Sequence, residues 1–415
     1  MINIKDKSNC CGCNACVQKC PKQCISMRED YEGFLYPYVD KILCIDCGLC
    51  EKTCPVINSK EERKPLNVFA AKNPNDEVRM QSSSGGIFTL LAENVIDEGG
   101  VVFGAGFNER WEVVHSFVEK KEDLAKFRGS KYVQSKVGNS YKQAEAFLKQ
   151  GRKVLYSGTP CQIAGLKQYL RKDYVNLLAV DFICHGVPSP GVFRTYLRDE
   201  INNCSARHGG RKNTVLLPCI PLVSEKDGLD MKGMKIRSIS FRDKRNGWKK
   251  FGFALVFSEA SAEGENSVLL SYKPLNENLF LRGFLKDLYL RPSCYSCEIK
   301  GLSSGSDITI ADYWNIHTLI SNIDDDKGVS AIVVATDKGS IAVQEMNAML
   351  FDASWEDLVQ KNPALVRSAL INKDRTQFFQ ADNRTFEEKI QILCKNKVGV
   401  KKLLRKILHK IIVKK

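Results

Sequence analysis

The sequence predicts an α/β core domain that is preceded by a small cysteine-rich α+β module and followed by a basic helix. Ten of the 17 cysteines lie within the first 54 residues. After Leu66, short apolar segments alternate with segments of helical periodicity, which is typical of an α/β domain. Residues 395–415 carry nine lysines and arginines and no acidic residue. A chain of 415 residues has room for two or three domains, and we expect them at 1–58, 66–350 and 351–415.

Two runs of cysteines in the first module repeat the spacing C-x2-C-x2-C-x3-C-P, and they end at Cys20-Pro21 and Cys54-Pro55. This spacing is that of bacterial two-cluster ferredoxins, in which the fourth cysteine of each run binds the other cluster. The prediction is therefore two [4Fe–4S] clusters. One cluster is assigned to Cys10, Cys13, Cys16 and Cys54, and the other to Cys44, Cys47, Cys50 and Cys20. Cys11 and Cys24 fall outside the spacing and are expected to be small apolar residues.

The core domain is expected to contain several short strands and helices. The predicted strands are 68–71, 101–105, 112–118, 154–157, 177–183, 307–314 and 331–335, and the predicted helices are 87–97, 142–150, 276–289 and 341–350. Thr159-Pro160 is expected to cap and begin a further helix. Asn246-Gly247 predicts a hairpin within residues 235–257, whereas residues 203–232 look irregular.

Composition excludes several classes of protein. The net charge is +14, but nearly two-thirds of it lies in the last 21 residues, which argues against a nucleic-acid-binding surface along the chain. No apolar run has the length of a membrane-spanning helix, and no apolar signal segment follows Met1. The cysteines have metal-binding rather than disulfide spacing. We therefore expect a cytoplasmic protein.

Four further cysteines lie where an α/β domain places its binding site. Cys161 follows a strand in the first turn of a helix, Cys184 ends a strand, and Cys294 and Cys297 form a C-x2-C pair. Strand ends converge on the ligand crevice of such sheets, and helix N-termini favour thiolates. A third iron–sulfur cluster is one interpretation. The alternatives are a structural zinc at the C-x2-C pair and buried thiols elsewhere.

A serine- and glycine-rich loop precedes the helix that is predicted at residues 87–97. Ser82 to Gly86 would offer free backbone N–H groups to a phosphate or a flavin pyrophosphate. The alternative is an ordinary capped start of a helix. His185, Asp312 and Tyr313 could donate protons, or they could equally be satisfied structural groups.

A series of motifs resembles the family of coenzyme F420 hydrogenase/dehydrogenase beta subunits over residues 1 to about 350. In chain order they are Ser83–Phe88, Arg128–Ser135, Ser157–Gln162, Cys184–Pro190, Phe241–Lys244, Arg291–Cys297 and Ser306–Trp314. The resemblance implies an FAD in the α/β domain and a [4Fe–4S] cluster held by Cys161, Cys184, Cys294 and Cys297. It also implies flavin contacts at Ser83, Ser84, Gly85, Gly86, Lys131 and Tyr132. The segment after Asn203 departs from the compact core of the family.

These observations predict an iron–sulfur flavoprotein oxidoreductase. Single electrons would pass between the ferredoxin-type clusters and a flavin, which would exchange a hydride with an organic substrate or a deazaflavin-type coenzyme. The expected partners are a small-molecule substrate and a redox protein, such as a ferredoxin or another oxidoreductase subunit. The alternative is an electron-relay subunit of a larger complex with no substrate of its own.

The basic tail has a helical apolar stripe that begins at Val400. Such a helix can lie on the anionic inner face of a membrane. The alternative is a surface helix that packs on its own domain.

Overall fold

The computed structural model describes residues 1–207, 215–216, 234–260 and 266–395. The strands are β1 (Ile25–Glu29), β2 (Leu35–Val39), β3 (Asn67–Lys72), β4 (Val101–Phe107), β5 (Val113–Val118), β6 (Val154–Gly158), β7 (Leu177–Phe182), β8 (Val215–Leu216), β9 (Met234–Asp243), β10 (Gly252–Ala260), β11 (Asn266–Pro274), β12 (Ile308–Asp312), β13 (Ser330–Val334) and β14 (Met349–Asp352). The helices are α1 (Ala15–Lys19), α2 (Leu49–Lys52), α3 (Asp76–Gln81), α4 (Ile87–Asp97), α5 (Ser140–Lys149), α6 (Pro160–Leu170), α7 (Pro190–Arg207), α8 (Leu279–Leu285), α9 (Asp337–Glu345), α10 (Trp355–Lys361), α11 (Arg375–Phe379) and α12 (Phe386–Leu393). Short 3₁₀ helices lie at Lys7–Asn9, Lys121–Phe127, Pro292–Ser296, Ile316–Thr318 and Pro363–Leu365.

The core domain is built on an eight-stranded mixed sheet in the order β14-β3-β13-β12-β7-β6-β4-β5. Its central strands β12, β7, β6 and β4 are parallel, and the remaining pairs are antiparallel. Two antiparallel steps separate β3 from β12, so these two strands also run in the same direction. The segments that follow β3, β12, β7 and β6 therefore leave the sheet at one edge, where α/β proteins bind ligands.

Helices cover both faces of this sheet. On one face, Phe103 and Tyr156 stack at 5.3 Å under α5 and α6. On the other face, Val102 and Leu155 pack with α4 and α9. The alternation of neighbouring residues between two buried faces explains why these strands are apolar throughout. The predicted α/β core is confirmed.

A second, antiparallel sheet has the order β8-β11-β10-β9 and packs with α7, α8 and α12. Its core is aromatic, with Phe241, Phe253 and Phe280 all essentially buried. The predicted hairpin around Asn246-Gly247 is confirmed as the β9–β10 pair. This sheet carries residues 241–244 to the edge of the main sheet.

The ferredoxin-like module docks directly onto the core domain. Gln18 of α1 accepts hydrogen bonds from the backbone N–H groups of Tyr141 and Lys142 at 3.0 and 3.2 Å. In α6, a Cβ atom built on Gly165 would lie 2.9 Å from Cβ of Cys13. Only a glycine leaves room for so close an approach, so the first cysteine loop is pressed against α6.

Two predicted helices differ from the observed elements. Helix α8 is shorter than the predicted 276–289, because Asp287 is left-handed and Leu290 pairs with Pro188 in extended backbone. The predicted helix 341–350 begins earlier, at α9, and residues 349–352 form the edge strand β14 against β3. Pairing with a sheet outweighs the local helical pattern there.

The remaining predictions about organisation concern the chain ends and boundaries. The basic C-terminal helix and most of residues 203–232 lie outside the described residues. The prediction of irregular structure is wrong for residues 203–207, which form the last turn of α7. The three domain boundaries stay predictions. In the described part of the chain, no helix combines the length and the apolar character that crossing a membrane requires.

Glu32 and Arg375 form a buried ion pair that ties the first module to α11, with N–O distances of 2.8 and 2.5 Å. Arg375→Met leaves the Glu32 carboxylate buried without its partner. We expect the free energy of unfolding for the transition that includes this module to fall by about 3 kcal/mol, measured by urea denaturation under anaerobic conditions.

The matched control is Arg384→Met, which breaks the more exposed pair with Asp382. A loss of about 0.5 kcal/mol or less is expected there. Equal losses for the two variants would contradict the importance of the buried pair.

Candidate functional site

The two cysteine runs of the first module have the same backbone conformation. Gly12 and Asp46 are left-handed at φ 71° and 49°, and two residues later Asn14 and Gly48 are left-handed at 65° and 70°. Each run then enters a short helix, α1 or α2. The repeat in the sequence is thus a repeat in the structure, as two equivalent ligand loops require.

The first group of thiols comes from both runs. Cys16 has Cys10 and Cys54 as neighbours, and Cys13 has Cys16 and Cys54. Burial, followed by the proximity of these thiols, raises the pKa of Cys16. Buried thiols remain neutral unless a positive charge such as that of iron stabilises their thiolates. The crossed set of Cys10, Cys13, Cys16 and Cys54 is therefore together in the fold.

The second group lines a space of about 350 Å³ near the N-terminus, and it comprises Cys20, Cys44, Cys47 and Cys50, with Cys24 beside them. The backbone N–H of Ile2 donates to Sγ of Cys50 at 3.2 Å, and that of Asp46 donates to Sγ of Cys44 at 3.4 Å. Such bonds are one of the means by which proteins adjust cluster potentials. Cys47 is exposed, so this group faces solvent.

The third group assembles at the carboxyl edge of the main sheet. Cys161 lies in the first turn of α6, between the two residues of the Thr159–Gln162 capping box, and Cys184 lies two residues beyond β7. Burial raises the pKa of Cys184, whose neighbours include Cys161, Cys294 and Cys297. Burial also raises the pKa of Cys294 to about 12. Three distant parts of the chain thus bring four cysteines to one place.

Cys11 lies between the first and third groups. Its thiol contacts those of both Cys13 and Cys161. The expectation of a buried small residue holds, since Cys11 is 8% exposed. Its position at the junction was not visible in the spacing, because Cys161 is 150 residues away. Within residues 1–207, 215–216, 234–260 and 266–395, no three histidine, cysteine or acidic side chains have the spacing that holds a single metal ion.

The Ser83–Gly86 loop packs closely against the end of strand β3 and the start of strand β13. Ser84 Oγ donates to the carbonyl of Val329 at 2.8 Å. A Cβ atom on Gly85 would lie 2.5 Å from the carbonyl oxygen of Ala71, so this glycine permits close packing on the sheet. Gly86 is the left-handed N-cap of α4. The loop therefore has a structural reason for its glycines.

The Lys131–Tyr132 segment contacts that loop. Oγ of Ser83 and Oγ of Ser130 are 2.7 Å apart. Lys131 Nζ donates to the carbonyls of Lys126 and Arg128, and burial lowers the pKa of Lys131 to about 7. Tyr132 stacks on Phe284 with ring centroids 4.9 Å apart. The structure thus brings the six predicted flavin contacts onto two touching segments.

Arg242 lies beside them and was not among the predicted site residues. Its side chain is 2% exposed and donates through Nη1 to Asp312 at 2.5 Å, and Tyr132 lies near the guanidinium. The buried Nε and Nη2 atoms have no hydrogen-bond partner among the described residues. Unpartnered guanidinium N–H groups suit an anionic group such as a phosphate. The motif Phe241–Lys244 was visible in the sequence, but its proximity to Asp312 was not.

Of the polar residues considered as proton donors, Asp312 and His185 have fixed structural partners, whereas the buried hydroxyl of Tyr313 has no hydrogen-bond partner among the described residues. Asp312 also accepts from Trp248 Nε1 at 3.0 Å, and Trp248 stacks on Trp314 at 4.9 Å. Tyr313 is fully buried in an apolar cluster. His185 is 45% exposed, and its Nε2 lies 2.5 Å from Asp287. Asp312 therefore orients Arg242, which fits the structural alternative.

The comparisons with known proteins agree with this organisation. Residues 9–58 match the model of the 4Fe-4S dicluster domain. Residues 68–141 match the N-terminal model of the coenzyme F420 hydrogenase/dehydrogenase beta subunit, and residues 151–205 and 223–352 match its C-terminal model. The matched segments of this family cover more than half of the chain.

The chain belongs to the family of coenzyme F420 hydrogenase/dehydrogenase beta subunits. The family that the sequence motifs predicted is confirmed, and so is its N-terminal [4Fe–4S] dicluster domain.

Two similar proteins come from Methanosarcina mazei and Methanocaldococcus jannaschii. One of the subunits of the F(420)H(2) dehydrogenase of Methanosarcina mazei is 28% identical over 190 residues, which cover 42% of this chain and 53% of that protein. Coenzyme F420-dependent sulfite reductase of Methanocaldococcus jannaschii is 31% identical over 170 residues, which cover 40% of this chain and 26% of that protein. The aligned part thus spans about half of the first relative and a quarter of the second.

One solved structure that resembles this chain is the F420-reducing [NiFe] hydrogenase complex from Methanosarcina barkeri, under xenon derivatization. The matched chain is 17% identical, with a TM-score of 0.41 and coverage of 75% of this chain and 97% of the other.

This family member has a further surface recess beside Cys184, with Asp181 in its wall; the recess, including the part open to solvent, has a volume of about 270 Å³. Asp181 accepts hydrogen bonds from Ser304 at 2.6 Å and Thr309 at 2.5 Å, and burial raises its pKa to about 6. A carboxyl group whose pKa is raised in the folded state stabilises the fold at pH values below its unfolded-state pKa. This stabilisation is lost as the pH rises through 6, the approximate pKa in the folded state.

We expect Asp181→Asn to gain stability relative to the wild type between pH 5 and pH 7.5, by about 1.4 kcal/mol, which is the part of the total of about 3 kcal/mol that falls above pH 5. Melting temperatures at the two pH values check this. Asp173→Asn, at a side chain that is 97% exposed, is the control. A pH-independent difference between Asp181→Asn and the wild type would contradict the assignment.

Proposed function

We propose that this protein is an iron–sulfur flavin oxidoreductase subunit that connects single-electron carriers to a flavin within one chain. The observation that carries the proposal is the contact of Cys11 with both Cys13 and Cys161, which makes the first and third cysteine groups neighbours. A ferredoxin domain that only shuttled electrons would have no need of a third cysteine group at its docking surface.

Three sets of cysteines would hold three [4Fe–4S] clusters. They are Cys10, Cys13, Cys16 and Cys54; Cys20, Cys44, Cys47 and Cys50; and Cys161, Cys184, Cys294 and Cys297. The donor sets fit, since each contains four thiols of a type that binds such clusters. Bound clusters would supply one-electron chemistry.

Residues at the sheet edge fit an FAD. The unpartnered Nε and Nη2 of Arg242 suit its diphosphate, and the Ser83–Gly86 loop and Lys131 lie on the adjoining segments. A bound flavin would supply the step between one-electron and two-electron chemistry. The chain's own contribution is positioning, because Asp312 fixes the guanidinium and Lys244 Nζ holds the carbonyl of Ser84 at 2.9 Å.

The exposed second cysteine group is the proposed contact for a redox partner protein. Cys47 is exposed, and Ile42, Leu43 and Ile45 nearby are 93%, 55% and 59% exposed. Apolar side chains around a solvent-facing ligand favour close approach by a partner protein. Two relatives are named as part of a dehydrogenase and as a sulfite reductase, which supports a role in a larger redox system.

The reaction at the flavin would be hydride exchange with an organic substrate or a deazaflavin-type coenzyme. The second candidate function is an electron relay without its own substrate. The exposure of Cys47 favours this relay as well, because exchange with a protein requires only an accessible cluster.

Anaerobic purification with iron, sulfide and flavin quantitation tests the proposal. We expect about twelve irons, four for each of three clusters, and about one flavin per chain. Arg242→Gln should lose most of the flavin and keep the iron, since the guanidinium is the proposed diphosphate partner.

The control for this variant is Arg245→Gln. Arg245 lies three residues further on, has a half-exposed side chain and pairs with Asp243. Flavin should be retained in it. Protein with twelve irons and no flavin would contradict the flavin enzyme and favour the relay, whereas about eight irons would contradict the third cluster.

A further inference from the structure

Arg291 is a fully buried arginine where the ferredoxin module meets the core domain. Its Nε donates to the carbonyl of Cys10 at 2.6 Å, and its Nη2 donates to the carbonyl of Leu35 at 2.9 Å and to Sγ of Cys10 at 3.5 Å. Nη1 donates to Gln134 Oε1 at 2.8 Å. The Arg291 side chain therefore links Cys10, a proposed ligand of the first cluster, to Leu35 of the ferredoxin module and to Gln134 of the core domain.

The backbone of Arg291 is also hydrogen-bonded to the third cysteine group. Its carbonyl accepts the N–H of Cys294 at 2.9 Å, and its own N–H donates to the carbonyl of Val187 at 3.0 Å. Val187 in turn donates to Sγ of Cys294 at 3.4 Å. The side chain of Arg291 is thus hydrogen-bonded to Cys10, and its backbone is hydrogen-bonded to Cys294 and Val187.

The charge of Arg291 has no carboxylate partner within the described residues. An arginine does not lose its proton in a protein, and a buried charge is costly unless an opposite charge compensates it. The ring of Tyr36 covers the guanidinium at 4.2 Å. The groups that can balance this cation are the neighbouring cysteine sulfurs, as thiolates of a bound cluster.

Gly12 provides an independent observation. A Cβ atom on Gly12 would lie 2.8 Å from Nη1 and 2.9 Å from Cζ of Arg291, and 2.8 Å from Nε2 of Gln134. The backbone conformation alone does not require glycine, because Asp46 occupies the equivalent left-handed position of the second cysteine run. The space at Gly12 is therefore explained by the Arg291 guanidinium together with the Gln134 amide to which it is hydrogen-bonded.

We propose that Arg291 raises the reduction potential of the cluster held by Cys10, and so directs electrons inward from the exposed cluster. The inference rests on the proposed function, since it presupposes bound clusters. Reduction adds one electron and one negative charge to a cluster, and a buried cation with an N–H···S hydrogen bond stabilises that form. In the exchange, the exposed cluster is oxidised by one electron and the Cys10 cluster is reduced by one, with no proton or bond involved.

The test is an anaerobic redox titration of the reconstituted full-length protein, followed by electron paramagnetic resonance. We expect Arg291→Gln to lower the equilibrium constant for reducing the Cys10 cluster about tenfold, which is about 59 mV for one electron. The potential of the exposed cluster should stay unchanged. Arg291→Lys keeps the charge but not the fork of donors, so a smaller shift in the same direction is expected.

The matched pair Gly12→Ala and Asp46→Ala separates charge placement from backbone effects. Both put alanine at equivalent left-handed positions, but only the first displaces the guanidinium. Gly12→Ala should lower the potential of the Cys10 cluster and Asp46→Ala should not. This comparison also decides the matter if Arg291→Gln fails to fold.

Three outcomes would overturn the inference. They are an unchanged potential in Arg291→Gln with full iron content, equal shifts in Gly12→Ala and Asp46→Ala, and loss of iron from both Arg291→Gln and Gly12→Ala, which would leave a purely structural role. Wild-type protein that binds no cluster at all would instead contradict the proposed function.

Discussion

The contact between the first cysteine loop and the start of α6 is the constraint on which the molecule depends. Gly165 leaves just enough room for Cys13 to lie against the helix. This close approach brings Cys11 into contact with Cys161, so the first and third cysteine groups are neighbours. Electron exchange between cofactors needs proximity rather than a particular chemical group, so packing at this one place determines whether the proposed clusters can work together.

The mixed sheet supplies the rest of the arrangement. Cys161, Cys184 and Asp312 lie at the carboxyl ends of its parallel strands, and therefore at one edge of the sheet. Arg242 of the antiparallel sheet contacts Asp312 at this edge. The third cysteine group and the proposed flavin site therefore share the edge at which α/β proteins bind ligands. Arg242 keeps two buried nitrogens without a partner among the described residues, which supports the proposed contact with the diphosphate of a flavin.

Much of this was predictable from the sequence, because the signals are local. The repeated cysteine spacing predicted the dicluster domain, and the apolar periodicity predicted the bounds of α4. Contacts between distant segments were not predictable. The Arg242–Asp312 pair joins residues 70 positions apart, and no local pattern places Arg291 against Gly12 near the other end of the chain. Strand β14 was missed because sheet pairing outweighed a helical pattern.

The central claim is that the first and third cysteine groups hold neighbouring clusters. Electron paramagnetic resonance of the fully reduced protein, compared with Cys294→Ser, tests it most directly. The crossed ligation already makes the two ferredoxin-type clusters neighbours, so the account predicts a magnetic interaction in the wild type beyond the one between those two clusters. This additional interaction is lost in the variant, together with about four irons per chain. A wild-type spectrum that shows only the two ferredoxin-type clusters and is unchanged by Cys294→Ser would contradict the account.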